Sequence, residues 1–510
     1  MRGRNTEPSF QAVWEGMRAD YDAAKTSRFR RTPTGYAPMG SGADYHYRSD
    51  AEHLRLLEWA RHYDRNDPIV GQAITRLIDN IYQSGFVLDP QTGDAEADAY
   101  IKTKFRAWAD DPDACDAAGE QTFHDIAKLR RRSMIVDGDV FHALLSDGTV
   151  QSIEAHRCRT PSNTKRNVVY GVHLDKMRKR LAYWFTKDDI QPHQRLQRVS
   201  DTVPYPARDA DGYRYVLHGY DPKRSSQTRG VCAYAQAFDY VGIHADTQFA
   251  VLVKAQVASC ITVLEQLSTE AIKPKGIAEG AESTQTLSDG TSRTITELAP
   301  GVRITGTPGS TLSMFSPNVP NPEHFEHTML ILSIIAINLG LPVHVLLLDA
   351  SRTNFSGWRG AIDQARMSWR EMQRADAQHF YSPVFRWKVR QWIYSDPQMR
   401  YYADMLGETL LYKHTWHPPY WPYIQPTQDA QADQRIAREG LNSRRRLLSR
   451  RSLDITEVDD ERIEDDLQLI KRAIIAADAI NKQHPGAAVH WRDFISTMAG
   501  SGAAPSKGEV

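Results

Sequence analysis

Cysteine is scarce in this sequence, and charge of neither sign is in excess. Four cysteines occur in 510 residues, Cys115, Cys158, Cys232 and Cys260. They stand too far apart for a disulfide framework or a paired-cysteine zinc site, and they read as reduced core residues in a cytoplasmic setting. Lysine plus arginine equals aspartate plus glutamate, 63 each. No global positive field exists to hold nucleic acid through counterion release, which disfavours a tight DNA binder. The N-terminus, Met1-Arg2-Gly3-Arg4, leads into polar sequence with no apolar stretch of the signal-peptide kind, so export is not expected.

Catalytic signatures are missing too. No GxxxxGK[ST] phosphate loop, GxSxG elbow or HExxH helix is present, which argues against a P-loop motor and against the commonest hydrolases. His324 with His327, and His414 with His417, stand one helical turn apart. Zinc needs a third protein ligand, so both pairs read as capping or solvent features. Asp137 and Asp139 flank Gly138, and a tight hairpin accounts for an Asp-Gly there without any metal. The expectation is a chain that is not an enzyme and has no cofactor.

Long apolar runs are limited to one. Thr328 to Leu348 reaches the length a bilayer requires, but Asn338, Gly340, Pro342 and His344 interrupt it and no Lys/Arg cluster flanks it. A short helix buried on all sides, as between neighbouring subunits, fits better than a membrane span.

What is present is a succession of helices with strands between them. A helix is expected from about Ala51 to Tyr63. A second opens with Asp67 as cap and Pro68 as first helical residue, carries Val70, Ala73, Ile74, Leu77, Ile78 and Ile81 on one face, and ends at Gly85. Helices follow at Ala95–Trp108 and Phe123–Arg132. Asp137-Gly138 and Asp147-Gly148 read as hairpin turns bracketing a strand at Val140–Leu145, in a meander through Ile153. Alternation of Tyr213, Tyr215 and Leu217 suggests another strand. A long helical pattern runs from Tyr234 to Gln266. Gly276–Arg293 has almost nothing to bury and reads as a flexible insertion, followed by short strands within Thr294–Phe315. Helix returns from Asn321 to Gly340, and again from Gly357 to Arg374 and Phe380 to Trp392. The Trp416–Pro422 stretch cannot be regular helix. A last helix covers Asp459–Lys482, with Ile463, Leu467, Ile470, Ile474 and Ala477 on one face. The fold class expected is α+β, in several lobes.

Several stretches, in their order, resemble the portal proteins of lambda-type tailed phages. They are RNDPIVGQAITRLIDNIYQSGF (65–86), RRSMIVDGDVFHALL (131–145), GVHLD (171–175) and VLHGYDPKRSSQTRGV (216–231). The second half adds FSPNVPNPEHFE (315–326), IAINLGLPVHVLL (335–347), NFSGWRGAI (354–362) and GLNSRRRLLSRRSLD (440–454). The resemblance implies a ring, typically of twelve subunits, at one capsid vertex of a virion, assembled in the host cytoplasm. Its implied partners are double-stranded DNA passing through the channel, the terminase large subunit, major capsid and scaffold proteins and a head-tail adaptor, with no membrane. Chain neutrality is compatible with this, because a conduit that neutralised many phosphates would retain its cargo.

On the family's plan, residues 1–45 would be a mobile arm, 46–233 a wing, and 234–266 and 321–345 two stem helices around a β-rich clip at 267–320. Residues 346–356 would be a tunnel loop and 357–395 a tunnel helix with its continuation. Residues 396–439 would return to the wing, 440–499 would form a crown, and 500–510 a disordered tail. The resemblance assigns Asp349, Ser351, Arg352, Asn354 and Ser356 to the DNA-facing loop. That loop departs from the family pattern: Leu348, Asp349, Ala350 and Ser351 stand where Gly-Asp then Tyr and Ser are expected, and Trp358 replaces a small residue. Arg352, Asn354 and Ser356 can touch phosphates while Asp349 prevents a uniformly attractive surface. The crown arginines Arg444, Arg445, Arg446, Arg450 and Arg451 suit either DNA contact or inter-subunit ion pairs, the acidic stretch Asp454–Asp466 being at hand to neutralise them. Rival readings are an adaptor or other capsid or tail component, a DNA-processing enzyme and a membrane protein.

Overall fold

Helix-forming and strand-forming sequence alternate as expected through most of the chain, in a computed structural model that describes residues 50–161, 167–187, 202–265, 282–286, 292–296, 302–305, 322–349, 351, 353–421, 426–449, 451, 453, 455–484, 486 and 488–495. The expected arm at 1–45, most of the region 267–320 and the tail at 500–510 lie outside these residues.

The first half begins with α1 (Asp50–Asn66) and α2 (Pro68–Tyr82). Asp67 caps α2: its Oδ1 accepts the N–H groups of Ile69 at 2.9 Å and Val70 at 2.8 Å, and Pro68 takes the position whose N–H has no partner anyway. All six expected core residues of α2 are buried. Strand β1 (Val87–Pro90) leads to α3 (Ala95–Asp110), capped by Asp94, and then to α4 (Phe123–Val136), four residues longer than its periodicity suggests. Strands β2 (Asp139–Leu144), β3 (Val150–Glu154), β4 (Val168–Val169), β5 (Val172–Leu174), β6 (Arg180–Thr186), β7 (Thr202–Pro206) and β8 (Val216–Tyr220) follow. They form a three-stranded sheet ordered β3-β2-β8 and a four-stranded antiparallel meander β4-β5-β6-β7. Tyr213 and Tyr215 precede β8 and take no place in it.

The long helix α5 spans Phe238–Cys260 and stops earlier than its apolar pattern: Ile261 and Leu264 belong to β9 (Ile261–Glu265), paired in parallel with β12 (Val302–Thr305). The β-branched pair at Ile261 and Thr262 favours the extended form. Part of the expected insertion is also ordered in strands, as β10 (Glu282–Thr286) pairs with β11 (Ser292–Thr296).

Next come α6 (Pro322–Asn338), α7 (Val343–Leu347), α8 (Phe355–Asp376), α9 (Ser382–Ser395), α10 (Pro397–Leu406) and β13 (His414–His417). The chain ends with α11 (Pro426–Arg438), α12 (Arg444–Ser449), α13 (Ile455–Gln483) and α14 (Trp491–Ile495). The apolar run at 328–348 is broken at Gly340, whose φ is +66°. Among the described residues, no helix is long and apolar enough to cross a membrane. Between α8 and α9 the winding loosens to one π turn, Ala377–Tyr381, two residues before Pro383. Proline has no N–H to donate, and a π turn is a common way for a helix to absorb such a break.

The chain divides into two compact units. Among the described residues, unit 1 holds those up to Leu77, Leu129–Ala143 and Ser152–Ser368, and unit 2 holds Ile78–Lys128, Leu144–Gln151 and the chain from Trp369 onward. In unit 1, Phe141 meets Tyr183 and Phe185 edge to face at 5.3 and 5.1 Å and stacks on His218 at 4.3 Å. Unit 2 centres on Phe105, whose ring lies within 5.2–6.3 Å of Trp108, Phe123, Phe385, Trp392 and Trp416. Beside it Lys388 sits at 4.9, 5.2 and 5.3 Å from the ring centres of Trp108, Trp387 and Trp392. Its ammonium donates to Gly148 O at 3.2 Å and Gln391 Oε1 at 2.9 Å. Cys115, Cys158 and Cys232 are buried and unbridged.

Candidate functional site

The expected DNA-facing loop is shorter than 346–356. Leu341 N–H returns to Ala336 O at 3.0 Å, Pro342 opens α7, and Leu346 and Leu347 belong to that helix. Leu348 ends α7 in the left-handed region (φ +53°), with Asp349 N–H donating to His344 O at 3.1 Å. The Asp349 carboxylate accepts Ser351 N–H at 2.8 Å. Asn354 caps α8, whose first residue Phe355 lies two residues before the expected start at Gly357: the Asn354 Oδ1 accepts Gly357 N–H at 2.7 Å and the Ser356 hydroxyl at 3.1 Å. Asn354 and Ser356 are thus engaged with each other at a helix start, although both remain exposed. Leu348 and Phe355, 73% and 51% exposed, give the loop an apolar rim. Arg352 lies outside the described residues. One turn further on, Asp363 stands 3.9 Å from Arg359 and 3.5 Å from Arg366, so the start of α8 carries its charges in mixed sign.

Two of the arginines expected in the crown are committed within the chain. Arg444 pairs with Asp459, in the acidic stretch expected to neutralise it. Arg445 reaches back to Asp89 at 2.5 Å, where His417 also approaches at 3.3 Å. Burial opposes ionisation of Asp89, but His417, Gln91 and Arg445 together hold its carboxyl below the ordinary range. Arg446 N–H donates to Ser443 Oγ at 3.2 Å and Arg451 N–H to Leu448 O at 2.8 Å. Arg450 lies outside the described residues.

The histidine pairs separate in kind. His414 and His417 lie on β13, where positions three apart face opposite sides, and each has its own partners, Ser382 Oγ at 2.9 Å for His414 and Asp89 for His417. His324 and His327 lie in the first turns of α6. Among the described residues, no three His, Cys, Asp or Glu side chains gather where they could hold a metal ion.

Sequence reasoning misread Asp137-Gly138. It is not a hairpin turn but the exit of α4 into β2, with Gly138 at φ +91°; only Asp147-Gly148 turns a hairpin, Leu145 N–H donating to Thr149 O at 3.0 Å. The same dipeptide suits both junctions because each needs a positive φ. Asp137 accepts from Arg61 at 2.6 and 2.8 Å, and Asp139 is wholly buried. Arg229 donates to both oxygens of Asp139, and to the carbonyls of Ala155, Cys158 and Tyr170 at 2.8, 3.0 and 2.8 Å. His218 Nε2 lies 3.1 Å from the same carboxylate. Burial works against the charge on Asp139, yet Arg229 and His218 keep its carboxyl well below the usual range. No motif announces this cluster, because its members lie 90 residues apart.

These features define an α+β protein with small, mostly antiparallel sheets. Residues 30–373 match the family described as phage portal protein, lambda family, and the chain belongs to that family. It is a portal protein, the connector of a phage-like particle. The match ends within α8, so the arginines at 444–451 lie beyond it. No curated relative matches the sequence. Among solved structures, the chain is similar to one from the virion of a native gene transfer agent particle, at 12% identity and a TM-score of 0.38, covering 77% of this chain and 92% of that one. A chain from the neck of the empty particle, computed with C6 symmetry, gives 13% identity, a TM-score of 0.39 and coverage of 77% and 93%. One from the neck of the native particle, computed with C12 symmetry, gives 11%, 0.39, and 78% and 93%.

Proposed function

We propose that this portal protein acts as a closed homo-oligomeric ring, of twelve copies as is usual in its family, through which double-stranded DNA enters a capsid and later leaves it. The observation that carries this reading is the outward apolar surface of α5 and α6. Phe249 and Leu252 on α5 are 69% and 67% exposed, and Leu330 and Ile337 on α6 are 57% and 74% exposed. Burying each such side chain is worth about 1.5–3 kcal/mol, so neighbouring copies gain most by packing these helices together. In this reading α5 and α6 are the stem, the strands between them belong to the clip that docks the terminase large subunit and afterwards the head-tail adaptor, and α13 belongs to the crown. The ring sits in the virion at one capsid vertex, with major capsid and scaffold proteins around it, after assembly in the host cytoplasm. It performs no catalysis of its own, and the ATP-consuming step belongs to the motor.

The loop at 348–354 faces DNA without gripping it: Asp349 offsets whatever cations approach the phosphates, and Leu348 and Phe355 make no hydrogen bonds to them. Negative-stain electron microscopy with light-scattering mass, on protein purified without detergent, tests the ring. Particles with a central hole and a mass of about twelve chains are expected in a family of this kind; a detergent-dependent or dimeric species would overturn the reading. Deleting residues 349–354 should leave rings intact and impair packaging or DNA retention, and normal packaging by that variant would remove the loop from the mechanism.

A further inference from the structure

The β5–β6 turn of unit 1 has a composition unlike the rest of this neutral chain. It reads Asp175-Lys176-Met177-Arg178-Lys179-Arg180. Asp175 N–H donates to Lys179 O at 2.9 Å, Arg178 N–H to Asp175 O at 3.1 Å, and the Asp175 carboxylate accepts Lys179 N–H at 2.6 Å. The turn therefore uses up its one acidic side chain in its own closure. Arg178 occupies the left-handed position (φ +63°), where such a hairpin ordinarily has glycine and where another residue costs roughly 1–2 kcal/mol. Arg178 is tied to Ser226 O and, at 2.9 Å, to Thr228 Oγ1, and Arg180 to Tyr220 Oη at 2.7 Å.

These bonds bring a second basic loop alongside, Asp221-Pro222-Lys223-Arg224. Its acidic residue is also committed, since Asp221 pairs with the buried Arg131 at 3.0 Å. Lys176, Lys179 and Lys223 are exposed, and no carboxylate pairs with them among the described residues. The apolar content of the patch is two side chains, Met177, 87% exposed, and the exposed Pro222. A stable protein partner needs on the order of 800 Å² per side with a desolvated centre, which one methionine and one proline cannot supply. A polyanion needs only closely spaced cations on a fixed frame.

We propose that the paired loops 175–180 and 221–224 are a sequence-independent docking point for the phosphate backbone of duplex DNA, separate from the loop at 348–354. The choice of DNA as the polyanion rests on the portal reading; the cation cluster does not. Contact here is made by point charges and by arginines held in place, so it reads no bases.

The test is fluorescence anisotropy of a labelled 30-base-pair duplex with the intact assembled protein, titrated between 50 and 200 mM salt. The triple variant Lys176→Glu, Lys179→Glu, Lys223→Glu changes only exposed side chains, and its assembly is checked by microscopy in the same preparation. Removing three cations should weaken binding at least tenfold at low salt and lower the slope of log affinity against log salt by about 2.7, at about 0.9 per phosphate contact. The milder Lys→Gln triple should fall between. Unchanged affinity and slope in a correctly assembled variant would overturn the proposal. So would a preference of the wild type for poly-glutamate over the duplex at equal charge, which would assign the patch to an acidic protein segment. Failure of the wild type itself to form rings would count against the portal reading and not against the patch, whose salt-dependent binding is read separately.

Discussion

Unit 1 keeps an ionised pair at its centre, Arg229 against Asp139, whereas unit 2 keeps one cation, Lys388, among tryptophan rings. In unit 1 all five N–H groups of the guanidinium have acceptors, and the pair is flanked by two histidines, His53 and His218, that burial holds neutral. In unit 2 the ammonium has two oxygen acceptors and otherwise aromatic faces, an arrangement that stabilises a cation less tightly but demands no counter-ion. The difference teaches that the two units respond to opposite ends of the pH scale and to different substitutions.

The strongest way to break the comparison is Arg229→Met. It leaves Asp139 buried without its cation and takes one donor each from the carbonyls of Ala155, Cys158 and Tyr170, and unit 1 should lose about 3–5 kcal/mol. Adding Asp139→Leu should recover part of that, read as amide hydrogen exchange in β2 and β8. In unit 2, Phe105→Ala should cost a similar amount, about 3–5 kcal/mol, through a cavity among five aromatic rings. No second polar substitution should rescue it; a rescue would show that unit 2 is not held by ring packing.

Acid gives the next largest effect. Burial lowers His53 and His142 to about 3 and His218 to about 4, with Arg229 and Arg130 adding to burial at the first two. The unfolded chain, titrating near 6.5, binds more protons than the folded one between about 4 and 6.5. Stability is therefore fully present above 6.5 and lost as pH falls through that window. Between pH 7 and 6 the three together should cost unit 1 about 2 kcal/mol. A thermal melt of unit 1 that does not move between those values would contradict the neutral assignment.

Smallest at neutral pH is Lys388→Met. Burial pulls the Lys388 ammonium down to about 8, so the folded state releases this proton before the unfolded chain does, and the residue makes stability rise between pH 8 and 10.5. Methionine fills the same space, and Trp108 Nε1 still donates to Gly148 O at 3.1 Å. A change under about 1 kcal/mol is expected at pH 7, with the alkaline rise abolished; a persistent rise would point to another group.

The parts legible in advance were those whose determinants are local. Asp67-Pro68 and the apolar spacing behind it define α2 to within a few residues, and Gly340 marks the end of α6 almost to the residue. Asp137-Gly138 was ambiguous because helix exits and hairpins ask for the same backbone angle. The end of α5 was missed since Ile261 and Leu264 continue a helical spacing, while a partner strand some 40 residues away decides otherwise. In the loop, the residue types expected to meet phosphate are present, but Asn354 and Ser356 also suit a helix cap, and side-chain chemistry alone does not rank the two uses. The Arg229–Asp139 pair and the Lys388 enclosure depend wholly on long-range packing, so no spacing could disclose them.

The π turn at Ala377–Tyr381 works as a one-residue insertion inside a continuous rod. Each added residue turns the following helix by about 100° about its axis, so everything from Ser382 onward is set at a phase that an unbroken α8 would not reach. Phe380 and Tyr381, neighbours in sequence, both face inward because of it. Removing a single residue there would tighten the winding and swing Phe385, Lys388 and Trp392 away from the rings they now meet.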